Sequence, residues 1–242
     1  MDNHSVRARS FGRQAALYQR LRPGYPAQAI ATFLPERGKR VVDVGAGTGK
    51  LSAALAGAGH DVIAVEPDAQ MRATLTEHVA GIDARDGTGE ALPVAEGSAD
   101  AVCYGQSWHW VEPQAAAREA RRVLTGDGVL AMLWNVPDIR VPWVREMVAI
   151  THPGQNPLIG DEPVITGFGA GVLERVTWQQ RLSAEEIIDL VSTWSRIATS
   201  PPAERDALLD AVRDVLSTHP DLRGRAEIEI PYLCRVYHYR VR

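Results

Sequence analysis

Short apolar runs alternate in the first half of the chain with longer stretches whose apolar residues recur at helical spacing. The runs are rich in valine, alanine and isoleucine, which is typical of buried strands. The alternation predicts βαβ units, and therefore an α/β fold with a mostly parallel sheet and helices on both faces. The predicted strands are 40–44, 61–65, 81–86, 99–104 and 128–134. Helices are predicted after residue 49, over 69–78 with Asp68 as the capping residue, and over 113–124.

The two ends of the chain follow a looser pattern. Residues 6–20 predict a helix that ends at Arg22-Pro23-Gly24-Tyr25-Pro26, and a second helix begins at Pro26 with Ile30 and Phe33 facing inward. Beyond Asn135 a loop rich in glycine and proline interrupts the alternation. The elements predicted there are helices 141–151, 184–196 and 203–217 and strands 172–181 and 227–240.

Charge and composition narrow the possible partners. The net charge of −4 argues against a nucleic-acid partner, which calls for a basic face. No apolar run approaches the ~20 residues of a membrane span, and residues 1–14 lack the apolar core of a secretory signal, so a cytoplasmic protein without membrane contact is expected. Cys103 and Cys234 lie in separate predicted strands and are expected to be buried free thiols. The histidines show no ligand spacing, so no metal is expected.

A glycine-rich loop follows the first predicted strand directly. Gly45-Ala46-Gly47-Thr48-Gly49 joins that strand to a helix, which turns backbone N–H groups and the positive helix end toward a ligand. Glu66 ends the next strand, 21 residues after Gly45. An acid near that offset accepts hydrogen bonds from ribose hydroxyls in nucleotide-binding α/β folds. Together the loop and the acid predict a cofactor that contains adenosine.

The spacing of the loop favours one such cofactor over another. Dinucleotide sites use G-x-G-x-x-G, whereas here the third glycine comes one residue early. Asp43 lies two residues before Gly45, where an anion opposes a pyrophosphate but attracts the ammonium and sulfonium groups of S-adenosylmethionine. Both departures favour S-adenosylmethionine. A nicotinamide-dependent oxidoreductase remains the alternative, although no Tyr-x-x-x-Lys pair is evident.

With these motifs the chain resembles the class I S-adenosylmethionine-dependent methyltransferases over most of its length. The matching segments are the first motif at 41–50, the second at 62–68, the adenine-binding segment at 87–93 and the fourth-strand motif at 100–106. The opening Phe11…Tyr18…Arg22-Pro23-Gly24-Tyr25-Pro26 and the segment Gln106-Ser107-Trp108-His109-Trp110 are similar to the branch of trans-aconitate-type carboxyl methyltransferases.

The resemblance implies a Rossmann-like, seven-stranded, mostly parallel sheet with an antiparallel last strand. It implies a single domain over 1–242, with an N-terminal helical lid at 1–38, a cofactor-binding core at 39–135 and an acceptor-pocket insertion with the last strands at 136–242. The expected cofactor-binding residues are Tyr18, Arg22, Asp43, Gly45, Ala46, Gly47, Thr48, Gly49, Glu66, Pro67, Met71, Thr88, Gly89, Glu90, Gly105 and Gln106.

Each of these residues has an expected role. Asp43 and the loop hold the methionine part, and Glu66 holds the ribose. Pro67 and Met71 pack on one edge of the adenine, with Gly89 and Glu90 on the other. Thr88 replaces the acid that many relatives use for the adenine amino group, and a hydroxyl is a weaker acceptor. Tyr18 and Arg22 are candidates for a lid, in which the arginine pairs with the methionine carboxylate.

The segment after the fourth strand is expected to face the transferred methyl group, because ligands bind at the carboxyl ends of parallel strands. Trp108 and Trp110 supply apolar walls, and the segment 136–200 is expected to roof the acceptor pocket. His109 is a candidate general base for a hydroxyl acceptor, but the favoured interpretation is that it holds the loop by hydrogen bonds. A carboxylate acceptor would need no base.

The sequence therefore predicts methyl transfer from S-adenosylmethionine to a small molecule, with S-adenosylhomocysteine as product. The expected acceptor atom is an oxygen of a carboxylate or hydroxyl, and N- or C-methylation stays possible. A non-catalytic binder of the same cofactor is a further alternative, since it would keep the same residues. A monomer or a homodimer is expected.

Overall fold

A computed structural model describes residues 20–158, 163 and 165–242. The helix predicted over 6–20, and Tyr18 with it, lies outside these residues except for its last position. No helix among the described residues is long and apolar enough to cross a membrane.

Seven strands form one sheet in the order β3-β2-β1-β4-β5-β7-β6. The first five strands pair in parallel, and the last strands are antiparallel, which confirms the predicted Rossmann-like fold. The strands are β1 (Arg40–Val44), β2 (Asp61–Val65), β3 (Asp83–Arg85), β4 (Ala99–Gly105), β5 (Leu124–Pro137), β6 (Val172–Leu182) and β7 (Ile228–Arg240).

The helices in the described residues are α1 (Ala27–Ala31), α2 (Lys50–Gly57), α3 (Ala69–His78), α4 (Pro113–Val123), α5 (Pro142–Thr151), α6 (Ala184–Ser192), α7 (Ser195–Thr199) and α8 (Pro202–Thr218), with short 3-10 turns at Trp108–Trp110 and Pro220–Leu222. The predicted cap at Asp68 is confirmed, because its carboxylate accepts hydrogen bonds from the N–H groups of Gln70 and Met71.

Two predicted boundaries were wrong. The helix expected over 184–196 breaks at Thr193, whose carbonyl accepts a hydrogen bond of 2.8 Å from the Arg22 guanidinium, and Trp194 is extended. Strand β5 begins four residues before the predicted position 128, because Leu124 pairs with Ala99 ahead of a register shift in β4. Neither boundary has a local sequence signal, since each depends on a distant partner.

The chain divides into two compact units. The sheet unit comprises Gly24–Asn135 and Leu233–Arg242 with the described residues of Asp161–Thr177, and the helical unit comprises the described residues of Met1–Pro23 and Val136–Gly160 with Trp178–Tyr232. The apolar core of the sheet unit lies on one sheet face under α4, and it includes Val44, Tyr104 and Met132. The core of the helical unit joins α5, α6 and α8. The expectation of a single domain stays a prediction.

Both cysteines are free and buried, as predicted, with Cys103 in β4 and Cys234 in β7. Among the described residues no three His, Cys, Asp or Glu side chains come together as a metal site would require.

Candidate functional site

The glycine loop crosses from β1 to α2 with its backbone pressed against the end of β2. The Gly45 and Ala46 N–H groups both donate to the Val65 carbonyl, at 2.8 and 3.2 Å. Gly45, Gly47 and Gly49 all have positive φ, at 64°, 56° and 86°. Side chains other than glycine rarely adopt this backbone conformation, so the loop shape itself selects the residue type.

Gly45 also lies in close contact with the loop that follows β4. A Cβ atom on Gly45 would lie 2.6 Å from the Ser107 Cβ, which is well inside van der Waals contact. The Ser107 hydroxyl donates a 2.6 Å hydrogen bond to the Val44 carbonyl. The ends of β1 and β4, which also pair as parallel neighbours, are therefore held close together at this point.

Glu66 is buried behind the glycine loop with 6% of its surface exposed. One carboxylate oxygen accepts the Gly47 N–H at 2.8 Å, and the other accepts the Asp68 N–H at 3.0 Å. Arg72 holds the turn from outside, donating to the Glu66 and Pro67 carbonyls. Each carboxylate oxygen keeps a lone pair for a ligand, because an oxygen of this type can accept two hydrogen bonds.

Asp43 is the second buried acid, with 1% of its surface exposed at the end of β1. Its Oδ2 accepts a hydrogen bond of 2.6 Å from the Ser52 hydroxyl, while its buried Oδ1 has no partner in the described part of the chain. Burial raises the pKa of Asp43 to about 7, the Ser52 hydrogen bonds oppose the rise, and the charge on Glu66 adds to it. A buried oxygen without a partner marks a place where a ligand cation or donor would be favourable.

The segment after β3 forms a tight turn in which Thr88 bridges to Ala91. A Cβ on Gly89 would lie 2.8 Å from Val111, so this turn packs closely on the segment before α4. Burial alone would raise the pKa of Glu90, but backbone hydrogen bonds from Glu112 and from Glu90 itself outweigh it and lower the pKa. Glu90 therefore stays ionised, and Thr88 is exposed.

Strand β4 ends in a strained conformation. Gln106 has a φ of 58° although it is not glycine, and hydrogen bonds from its N–H to the Leu133 carbonyl and from its side chain to the Asn135 carbonyl hold it there. Such backbone costs on the order of 1–3 kcal/mol and clusters at functional sites. Gly105, one residue earlier, leaves room for Tyr25, whose hydroxyl would lie 2.8 Å from a Cβ there.

Trp108, His109 and Trp110 form the 3-10 turn after this strained residue. Trp108 is buried edge-on against Tyr104, whereas Trp110 is 81% exposed. No hydrogen bond joins the His109 ring to any residue that the structure describes, so nothing there supports its holding the loop. Desolvation lowers the pKa of His109, which leaves the imidazole neutral near pH 7 and able to accept a proton.

The structure brings most of the predicted residues to the carboxyl ends of β1, β2 and β4 and to the turn after β3. The glycine loop with Asp43, Glu66, Gly89 and Gly105 packs within the sheet unit, where Ala46 and Thr48 are also buried. Pro67 and Met71 are exposed at the start of α3, and Met71 is 44% exposed. Arg22 belongs to the helical unit, where its guanidinium binds the side chain and the carbonyl of Thr193.

Three further residues of the site were not identified from the sequence. Ser52 binds Asp43, Arg72 fixes the turn at Glu66, and Tyr104 places a buried hydroxyl without a partner in the described chain beneath Gly89. Helical spacing puts Ser52 and Arg72 in the first turns of α2 and α3, but it does not show which side chains they reach.

Comparisons with known proteins agree on one activity. A model described as a methyltransferase domain matches residues 42–132. An uncharacterized methyltransferase of Mycobacterium tuberculosis is 40% identical over 228 residues, covering 93% of this chain and 92% of the relative. A malonyl-[acyl-carrier protein] O-methyltransferase of Enterobacter lignolyticus is 32% identical over 151 residues, covering 59% of this chain and 60% of the relative.

Solved structures show the same fold. A candidate type II methyltransferase from Anaeromyxobacter dehalogenans has a TM-score of 0.66 at 19% identity, covering 90% of this chain and 97% of that one. A candidate methyltransferase from an antibiotic biosynthesis pathway of Anabaena variabilis has a TM-score of 0.57 at 21% identity, covering 88% and 95%.

The contact at Gly45 predicts that adding one methyl group there lowers the stability of the protein substantially. Gly45→Ala should lower the free energy of unfolding by about 2–4 kcal/mol, from the clash with Ser107 and the positive φ. Gly24→Ala is the control, since no atom lies within 4 Å of its added Cβ, and it should change stability little. Urea denaturation measures both. Ser107→Gly should cost less stability in the Gly45→Ala background than in the wild-type protein, and equal costs in the two backgrounds would mean that the contact is not the cause.

The raised pKa of Asp43 predicts that the stability of the protein falls as the pH rises. The folded pKa of about 7 lies above the ordinary aspartate value of 3.8, so the unfolded chain releases its proton first and stability is lost between about pH 4 and pH 7. Asp43→Asn removes this contribution. In urea denaturation at pH 5 and pH 8, the wild-type protein should lose more stability between the two than the variant does. An equal loss in both proteins would contradict the raised pKa.

Proposed function

Since the chain belongs to the class I S-adenosylmethionine-dependent methyltransferases, we propose that it transfers a methyl group to an oxygen atom of a small-molecule acceptor. The observation that carries the proposal is the pair of buried acids at the glycine loop. Glu66 is held by backbone N–H groups, and Asp43 has a buried oxygen with no partner in the described chain. This pair suits a ribose beside a cationic amino acid.

The same acids disfavour a dinucleotide. A pyrophosphate in the loop would place two further negative charges near Asp43 and Glu66 in a site with little water to screen them. The ammonium and sulfonium groups of S-adenosylmethionine would instead offset the charge of Asp43. The charges of the site thus support S-adenosylmethionine over a nicotinamide cofactor.

The remaining contacts to the cofactor are proposed from the positions of the residues around the glycine loop. The loop from Gly45 to Gly49, including Ala46, Gly47 and Thr48, would hold the methionine part, together with Gly105 and Gln106. Pro67 and the exposed Met71 would pack on the adenine, opposite Thr88, Gly89 and Glu90. The predicted lid roles of Tyr18 and Arg22 remain part of the proposal.

The bound cofactor would supply a methyl carbon already activated by its positively charged sulfur. The chain's own residues would align the acceptor oxygen with that carbon and exclude water, which can provide most of the acceleration. The oxygen lone pair forms the new bond as the carbon–sulfur bond breaks, and the sulfur keeps that electron pair in S-adenosylhomocysteine. A carboxylate acceptor has no proton to lose, whereas a hydroxyl must pass its proton to a base such as His109.

Oxygen is favoured as the acceptor atom by the partial likeness to malonyl-[acyl-carrier protein] O-methyltransferases. That likeness covers 59% or less of this chain, so it supports the class of atom and leaves the acceptor open. The apolar walls of Trp108 and the exposed Trp110 suit an organic acceptor at the end of β4.

Ligand binding tests the proposal directly. At 100 times its dissociation constant, S-adenosylhomocysteine or S-adenosylmethionine should raise the unfolding temperature by roughly 5–10 °C, while NAD should not. Calorimetry in buffers of different ionisation enthalpy should also show release of part of a proton at pH 6.5, because the ligand's ammonium lowers the pKa of Asp43. Asp43→Asn should abolish that release. Stabilisation by NAD alone would overturn the proposal.

His109 separates the two kinds of oxygen acceptor. With a hydroxyl acceptor, His109→Asn should lower kcat by about a hundredfold or more, and wild-type activity should fall as the pH drops through the lowered pKa of His109. With a carboxylate acceptor, kcat should change less than about threefold. Formation of S-adenosylhomocysteine measures both, with His78→Asn, an exposed histidine on α3, as the control. Loss of activity in the control would show that the assay reports stability instead.

A further inference from the structure

Arg235 is buried on β7, and no described residue pairs with its charge. Only 8% of its surface is exposed, and its Nε atom is buried without a hydrogen bond to any residue that the structure describes. Among the described residues no carboxylate lies within ion-pair distance of its guanidinium, whereas more exposed arginines of the chain, such as Arg122, pair with acids. A buried cation with no anion beside it is costly in a folded protein.

The register of the last strands places Arg235 close to the candidate site. The Val241 N–H donates to the Gly128 carbonyl at 3.0 Å, and counting six residues along each antiparallel strand sets Arg235 opposite Trp134 of β5. Trp134 directly follows Leu133, which pairs with Gly105 at the end of β4. One strand, β5, therefore lies between Arg235 and the end of β4, where the loop that carries Gln106 and His109 begins.

A second arginine shares this face of the sheet. Leu173 of β6 packs on the same apolar cluster as Tyr237 of β7. Trp178 of β6 stacks on Tyr232 of β7, and counting three residues from this pair along the two antiparallel strands sets Arg175 opposite Arg235. Arg175 is exposed, and within the described chain it has no acidic partner either. Two like charges therefore lie on one face of neighbouring strands, and neither forms an ion pair with a described carboxylate.

We propose that Arg235, with Arg175 at its exposed rim, binds an anionic group of the methyl acceptor. The group is a carboxylate or a phosphate, both of which a guanidinium binds with two parallel hydrogen bonds. The inference rests on the proposed function, since it gives that acceptor a negative charge away from the oxygen that is methylated. An anion would relieve both the repulsion between the arginines and the cost of burying Arg235.

Thermal unfolding in saturating S-adenosylhomocysteine tests this subsite without an assay of activity. The probes are succinate for a carboxylate source, glycerol 3-phosphate for a phosphate source, and dimethyl succinate as the neutral control, all at equal ionic strength. One of the two anions should raise the unfolding temperature of the wild-type protein by about 3 °C, and the ester should not. The anion that gives the larger rise in unfolding temperature shows whether the site binds a carboxylate or a phosphate.

Variants of Arg235 test whether this residue is responsible for the stabilisation by the anion. Arg235→Met should abolish the response to the anion, should keep the response to S-adenosylhomocysteine, and should raise the unfolding temperature of the ligand-free protein, because it removes an unpaired buried charge. Arg235→Lys should keep a weaker anion response. Arg240→Met, on the exposed end of the same strand, should behave as wild type.

Three results would overturn the subsite. They are no response to either anion in the wild-type protein, an anion response that survives Arg235→Met, and a ligand-free Arg235→Met protein that is less stable than wild type, which would assign Arg235 a packing role. A wild-type protein that ignores S-adenosylhomocysteine but responds to an anion only when Arg235 is present would contradict the proposed function and leave the anion site standing.

Discussion

The site depends on the close approach of the Gly45 backbone to Ser107 and to Val65, where three parallel strands end. Gly45 touches Ser107 with no room for a Cβ atom, and its N–H is bound to the end of β2. With a larger residue there, the ends of β1 and β4 would move apart, and Asp43 and Glu66 would lose the walls that bury them. The close approach therefore sets both the shape of the loop and the electrostatics of the two acids.

The two acids show that the cost of a buried carboxylate charge depends on its hydrogen-bond partners. Glu66 accepts two backbone N–H groups, so its charge is compensated before any ligand arrives. Asp43 has one hydroxyl partner and an unsatisfied oxygen, so its charge is costly at neutral pH. Arg235 is the opposite case, a buried cation without an acid in the described chain. The sheet unit thus carries uncompensated charges of both signs, and each would favour a ligand of opposite charge.

The parts of the fold that were predictable have local causes. The cap at Asp68, the glycine loop and the offset of Glu66 follow from residues close in sequence, because strand, turn and helix signals act over short distances. The break at Thr193 and the early start of β5 at Leu124 could not be predicted, since each depends on a partner far along the chain. The roles of Ser52 and Arg235 could not be predicted for the same reason, because helix rotation and strand register decide which residues they face.

The path of the chain through the two units has a consequence for folding on the ribosome. The part of β7 from Leu233 onward supplies Tyr237 and Tyr239 to the core of the sheet unit, yet it is synthesised after the helical unit, which ends at Tyr232. Until β7 emerges, the nascent sheet has an open edge at β5 and an incomplete core, and such edges invite pairing with other chains. The helical segments that emerge in between thus have time to fold first, and delayed closure of the sheet makes the nascent chain a natural client for chaperones.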